Sequence, residues 1–286
     1  MRALALLVLA SGCAGSMEEY FAQDVVEMHL DVPYVAGDNI RQRLDLFLPR
    51  EVDNFPVAVF IHGGFWLHQD KNFFQPFVGI YKNVGIALAR QGIGTAVISY
   101  RLVPDVTFDE EFSDVATAIT WTHDHIGAYG GDAANMVIVG HSAGGHMTAL
   151  AGVDDARLTA AGMDVSAIKG YAPLSPILDV QQLAMDPPSD NATIVDQVFH
   201  GDIARNSPVT YFRAGIAPML VVLGGDDLSA LRKQVPPAVA ALAAMGAPVT
   251  LVELPGKNHE DIVIDFDTDD DAVTPVLAPF IHDHTH

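Results

Sequence analysis

A serine framed by glycines stands in Val137-Ile138-Val139-Gly140-His141-Ser142-Ala143-Gly144. A serine hydroxyl is a weak nucleophile, and it attacks a carbonyl only when a base and an oxyanion-binding group are held beside it. A tight turn from strand to helix presents the hydroxyl in this way. Such a turn leaves no room for side chains two residues to either side, where this sequence has Gly140 and Gly144. A β-branched run precedes the serine and a helix-forming run follows it, so the context agrees with the motif. The chemistry this predicts is acyl transfer with Ser142 as nucleophile. The alternative, a glycine turn serving only the backbone, leaves that agreement unexplained.

A second glycine pair lies upstream in His62-Gly63-Gly64-Phe65-Trp66. Adjacent glycines let the backbone approach a bound carbonyl and aim N–H groups at the oxyanion that develops there. The expected donors are the N–H groups of Gly64 and Phe65, together with that of Ala143 behind the nucleophile. Trp66 and His141, beside these elements, are expected to line the substrate pocket.

The base must be one of twelve histidines. With a serine turn of this kind the acid and then the histidine follow in the chain, which leaves His146, His200, His259, His282, His284 and His286. His146 is one helical turn past Ser142 and reads as core or pocket lining. The last three stand in a polar tail, where fraying is expected. His259, in Gly256-Lys257-Asn258-His259, follows the last expected strand and can return to the edge that carries Ser142. The acid should end the preceding strand, Met219–Leu223, which runs into Gly224-Gly225-Asp226-Asp227. Both Asp226 and Asp227 fit that place. One would orient the imidazole, and the other would be a helix cap or a solvated neighbour.

These residues need a scaffold, and the apolar pattern supplies one. Strands are expected at Leu44–Leu48, Val57–Ile61, Thr95–Tyr100, Met136–Val139, Ile168–Ala172, Met219–Leu223 and Val249–Leu254. Helices are expected at Ile80–Arg90, Phe112–His125, Gly144–Val153 and Leu228–Met245. Short apolar strands alternating with helices predict an α/β fold: a mostly parallel central sheet with helices on both faces, a three-layer sandwich. Residues 180–211 break the alternation and are expected to form a cap or a long surface excursion. Residues 17–286, this excursion included, read as a single domain.

The chain of 286 residues carries 15 Lys and Arg against 36 Asp and Glu, a net charge of −21. Such a surface repels nucleic acid, which is excluded as a partner, and anionic head groups as well. A lone cysteine rules out an intramolecular disulfide. It lies in Met1-Arg2, an apolar run to Ala10, then Ser11-Gly12-Cys13. A basic start, a short apolar run and small residues make residues 1–16 a signal segment and linker. The pattern resembles a lipoprotein signal, with Cys13 the lipid-bearing residue of an exported, membrane-anchored protein. The competing expectation is a cytoplasmic enzyme initiated at Met17. No metal site is read: His123 and His125 face different directions, and the Asp267–Asp271 run lacks calcium-loop spacing.

Several segments together carry a family resemblance: Leu44–Pro49, His62–Trp66, Ser99-Tyr100-Arg101-Leu102, Asp114–Trp121, Tyr129–Asp132, the serine turn, Ser207-Pro208 and Gly256–His259. In them the chain resembles the hormone-sensitive-lipase-like and feruloyl-esterase-like carboxylesterase branch of the α/β-hydrolases, close to kynurenine formamidase (arylformamidase). The resemblance implies the α/β-hydrolase fold and a Ser-His-Asp triad working without a cofactor. It implies an acid three residues after Gly224, hence Asp227. It also implies a small-molecule ester or formamide substrate. Formamidases often carry an aromatic after the histidine motif, where this chain has Glu260-Asp261. That departure and the leader favour a general serine carboxylesterase over an arylformamidase. From another class, the remaining alternative is a non-catalytic lipid-anchored binding protein on a hydrolase scaffold.

Overall fold

The computed structural model describes residues 22, 25–73, 79–186 and 190–285. The signal segment, Cys13 and Met17 lie outside them. Among the described residues eight strands form one sheet: β1 (Val26–Pro33), β2 (Arg43–Pro49), β3 (Phe55–Ile61), β4 (Gly94–Ile98), β5 (Gly131–His141), β6 (Ile168–Leu174), β7 (Met219–Gly224) and β8 (Val249–Leu254). Their order is β1-β2-β4-β3-β5-β6-β7-β8. The pairs β1–β2 and β2–β4 are antiparallel, and every later pair is parallel. The expected mostly parallel three-layer α/β fold is present.

The sheet is buried on both faces, which is why its central strands read as unbroken apolar runs. Along β3, Val57, Val59 and Ile61 point into one core cluster while Ala58 and Phe60 point into the other. The main helices are α1 (Lys82–Arg90), α2 (Phe108–His125), α3 (Ala143–Val153), α4 (Ala156–Thr159), α5 (Val180–Met185), α6 (Asn191–Phe199), α7 (Ser229–Ala244), α8 (Asp261–Ile264) and α9 (Thr274–His284). Met147 and Leu150 of α3 fill the first cluster, and Val84, Ile86 and Leu88 of α1 with Leu277 and Ile281 of α9 fill the second.

Several elements differ from the sequence reading. The first is the edge strand β1, which the sequence reading does not assign, although Val26, Met28, Leu30 and Val32 alternate with Glu27, His29 and Asp31 in the two-residue period of a strand. Helix α2 starts four residues earlier than Phe112, because Thr107 and Glu110 form a reciprocal capping box that satisfies free N–H groups at its start. Of the C-terminal histidines, His282 and His284 do not fray, and His286 lies outside the described residues. Instead α9 docks through Leu277, Ala278 and Ile281, and His282 Nε2 donates to the Gln91 carbonyl at 2.9 Å. Within the 180–211 excursion, α5, α6 and a short 3-10 turn (Pro208–Tyr211) pack onto the body through Val180, Leu183, Val198 and Phe199.

Parallel register brings the candidate site segments to one edge. Ile61 pairs with Gly140, His141 with Leu174, Leu174 with Val222, and Gly224 with Leu254. The residues that follow these positions therefore emerge side by side at the carboxyl ends of the strands, where parallel sheets bind ligands. They are His62–Trp66, Ser142, Ser175, Asp226–Asp227 and Lys257–His259.

Candidate active site

Ser142 sits between β5 and α3 with φ 57° and ψ −116°, a backbone conformation costing about 1–3 kcal/mol for a residue with a side chain. Tight packing enforces it. A Cβ added to Gly144 would lie 2.1 Å from the Ile61 carbonyl oxygen, so only glycine lets α3 pass this close to β3. Ser142 N–H donates to the Leu174 carbonyl at 2.9 Å, which ties the turn to β6.

The structure brings His259 between Ser142 and Asp227. Ser142 Oγ lies 2.9 Å from His259 Nε2, and His259 Nδ1 lies 2.8 Å from Asp227 Oδ1. All three residues are buried. Asp226, the competing carboxylate, is exposed, and its N–H donates to the Lys257 carbonyl at 3.0 Å. Burial opposes ionisation of Asp227. The hydrogen bonds it accepts from His259, Ser175 and Leu228 N–H outweigh that cost and hold its pKa below the ordinary carboxylate value. Oδ2, the oxygen that accepts from Ser175, also accepts from Gly224 N–H at 3.2 Å.

The glycine loop lies against the serine turn. A Cβ on Gly63 would be 3.2 Å from Ser142 Cβ. Gly64, Phe65 and Trp66 follow with φ of 111°, 56° and 64°. At Gly64 a Cβ would collide with the His68 carbonyl at 2.1 Å, and that residue's own carbonyl accepts from Leu67 and His68 N–H at 3.1 and 3.0 Å. The loop's start is held by His62, stacked on Tyr100 at 4.2 Å, and by Tyr100 Oη, which donates to the His62 carbonyl at 2.6 Å. Its far end is held by Lys71, whose buried ammonium meets Asp45 at 2.7 Å and Asp31 at 2.6 Å.

His141 and Trp66, expected to line a pocket, are both turned inward. His141 Nε2 donates to the His259 backbone carbonyl at 3.0 Å, and its ring lies 4.7 Å from the His259 ring. Burial, aided by the nearby His259, pushes its pKa down to about 3, so it is a neutral support beneath the histidine loop. Trp66 has no exposed surface and packs edge-on to His146 and Phe199 at 5.1 and 5.0 Å. Sequence reasoning missed Ser175, Lys71 and Asn206. Ser175 alone left a signal, as a hydroxyl residue ending a strand beside the one that bears the serine. Among the described residues no group of three or more His, Cys, Asp or Glu is placed to hold a metal ion. No helix among them is long and apolar enough to cross a membrane.

A strained serine turn at the carboxyl edge of an eight-stranded, mostly parallel sheet defines an α/β-hydrolase. Esterase B from Lactobacillus rhamnosis shares this fold, with a TM-score of 0.79 over 92% of this chain and 87% of that one at 20% identity. The chain belongs to the BD-FAE family, whose model matches residues 44–238. Among curated proteins it is similar to the probable isoprenylcysteine alpha-carbonyl methylesterase ICME of Oryza sativa subsp. japonica, 30% identical over 80% of this chain and 58% of that one. It is also similar to esterase LipC of Mycobacterium tuberculosis, 28% identical over 78% of this chain and 58% of that one. A shorter match, 31% identical over 38% of this chain and 34% of the relative, is to kynurenine formamidase of Drosophila melanogaster. The chain spans a little over half the length of the first curated relatives it matches.

Proposed function

We propose that this chain is a serine carboxylic-ester hydrolase acting through an acyl-enzyme on a small or medium ester. The observation that carries the reading is the position of His259, which meets Ser142 at 2.9 Å on one ring nitrogen and Asp227 at 2.8 Å on the other. His259 Nε2 takes the Ser142 proton as Oγ attacks the ester carbonyl. Asp227 fixes the tautomer and stabilises the imidazolium. The N–H groups of Gly64, Phe65 and Ala143 receive the oxyanion, His259 returns the proton to the leaving alkoxide, and water then releases the acid by the same route. All of these groups belong to the chain itself. Esterases among the relatives and fold neighbours support the same reading.

The formamidase relative supports a second reading, in which the same machinery cleaves an aryl formamide. Parallel assays of p-nitrophenyl esters and N-formylkynurenine separate the two. Turnover of esters supports the proposal, and turnover of the formamide alone replaces it. A fluorophosphonate probe tests the shared premise: labelling lost in Ser142→Ala supports a serine enzyme, and no labelling of the native chain points to the silent binding scaffold. The leader pattern further supports export with a lipid on Cys13. An intact mass showing an acylated Cys13 terminus supports that, and a Met17 terminus points to the cytoplasm.

A further inference from the structure

His146 stands one turn along α3 from Ser142, and its N–H donates to the Ser142 carbonyl at 2.8 Å. Its side chain is fully buried. On one edge of the ring, Trp66 Nε1–H donates to Nδ1 at 3.3 Å. On the other, Nε2 meets the Asn206 carbonyl at 2.6 Å. An indole N–H only donates and a carbonyl only accepts, so the two contacts select one form of the ring, neutral with its hydrogen on Nε2.

Both contacts go to segments the reaction needs fixed. Trp66 ends the run of three left-handed residues that begins at Gly64, and two of the three are not glycine. Backbone held in that region persists only where its surroundings over-determine it. Val103 N–H fastens the Trp66 carbonyl at 3.1 Å, and His146 fastens the indole. Asn206 belongs to the 180–211 excursion, and Arg157 holds the same stretch through the Arg205 carbonyl at 2.8 Å and Asn206 Oδ1 at 3.2 Å. Phe199 of α6 closes the box, 5.0 Å from the Trp66 ring and 5.8 Å from that of His146.

We propose that His146 is a positioning residue that holds Trp66, and through it the N–H groups of Gly64 and Phe65, in the oxyanion-binding arrangement while fastening the excursion at Asn206. The inference rests on the ester-hydrolase reading above. It predicts that a change at His146 is felt in the transition state and little in substrate binding.

The test uses three variants, a p-nitrophenyl ester and a tetrahedral boronate analogue. His146→Phe keeps a buried ring and loses both hydrogen bonds. His146→Asn restores an acceptor near the Nδ1 position, and Trp66→Phe removes the donor alone. The expected result for His146→Phe is a fall in kcat on the order of ten- to a hundredfold with KM little changed, and an equal loss of boronate affinity. His146→Asn should recover most of kcat. Trp66→Phe should lower kcat similarly, and combining it with His146→Phe should add little. Trp66→Phe carries the test if His146→Phe does not fold. Folded variants with native kcat and boronate affinity would overturn the inference, as would equal losses in His146→Phe and His146→Asn, since packing alone explains those. Fluorophosphonate labelling of the native chain separates this failure from that of the underlying reading: unlabelled native protein overturns both, and labelled protein with unaffected variants overturns the inference only.

Discussion

The Ser175 hydroxyl donates to Oδ2 of Asp227, whose other oxygen faces His259 Nδ1 at 2.8 Å. Ser175 follows β6 with φ 46°, and its own N–H is fixed to the Val222 carbonyl at 2.7 Å. Its hydroxyl is one of the donors that hold Asp227 ionised. Ser175→Ala removes that donor, so Asp227 becomes more basic and draws the His259 proton more strongly. The acid limb of the kcat/KM profile should move to higher pH, with kcat/KM down roughly tenfold at neutral pH. An unmoved limb would show that Ser175 only packs against the acid.

The two adjacent carboxylates should separate sharply. Asp227→Asn leaves the imidazole without its acceptor and should lower kcat by about 10³–10⁴-fold. Asp226 is exposed and contributes a backbone contact, so Asp226→Asn should stay within about threefold of native kcat. Steady-state kinetics on one ester decide, and equal losses in both variants would refute the assignment.

Gly144→Ala tests the fit of the serine turn apart from its chemistry. The added methyl carbon would lie 2.1 Å from the Ile61 carbonyl and 2.5 Å from that of His62. Both are backbone atoms in or next to the sheet, so relief requires β3 and α3 to separate. The expected cost is about 3 kcal/mol or more, read as a fall in unfolding midpoint or as insoluble expression. Native stability would mean that the turn has space the structure does not show.

Three buried histidines set a pH dependence of stability. Burial pushes His62 and His146 down to about 4 and His141 to about 3, from an ordinary 6.5. The folded chain therefore refuses protons that the unfolded chain accepts below about pH 6.5. Stability is full above that value and is lost as pH falls towards 4. For His62 and His146 the depression corresponds to roughly 3 kcal/mol each at neutral pH. Urea unfolding at pH 7 and 5, a range in which ordinary carboxylates stay charged, should show a clear loss. His146→Phe should reduce the slope by about one proton's worth. A flat response would contradict neutral burial.

Much of this protein was legible one-dimensionally. The glycines around Ser142 declared themselves because a strand-to-helix turn tolerates nothing larger, and that constraint is local. The parallel sheet was legible because strands buried on both faces must be apolar throughout. The position of His259 after the last strand followed from chain order on such a sheet. The choice between Asp226 and Asp227 did not, since it depends on which carboxylate faces inward when β7 meets β8. Family likeness pointed to Asp227, and packing supplied the reason, by burying it beside Ser175 and His259. Trp66 and His141 show the complementary failure. Their positions next to candidate site residues suggested a pocket wall, yet a side chain's direction is set by neighbours distant in sequence. Trp66 finds His146 and Phe199, 80 and 133 positions away, and His141 finds the His259 carbonyl. Short-range sterics wrote the serine turn and the strands into the sequence. The supporting hydrogen bonds of Ser175, His146 and Asn206 join segments that only the folded sheet brings together, so tertiary structure alone decided them.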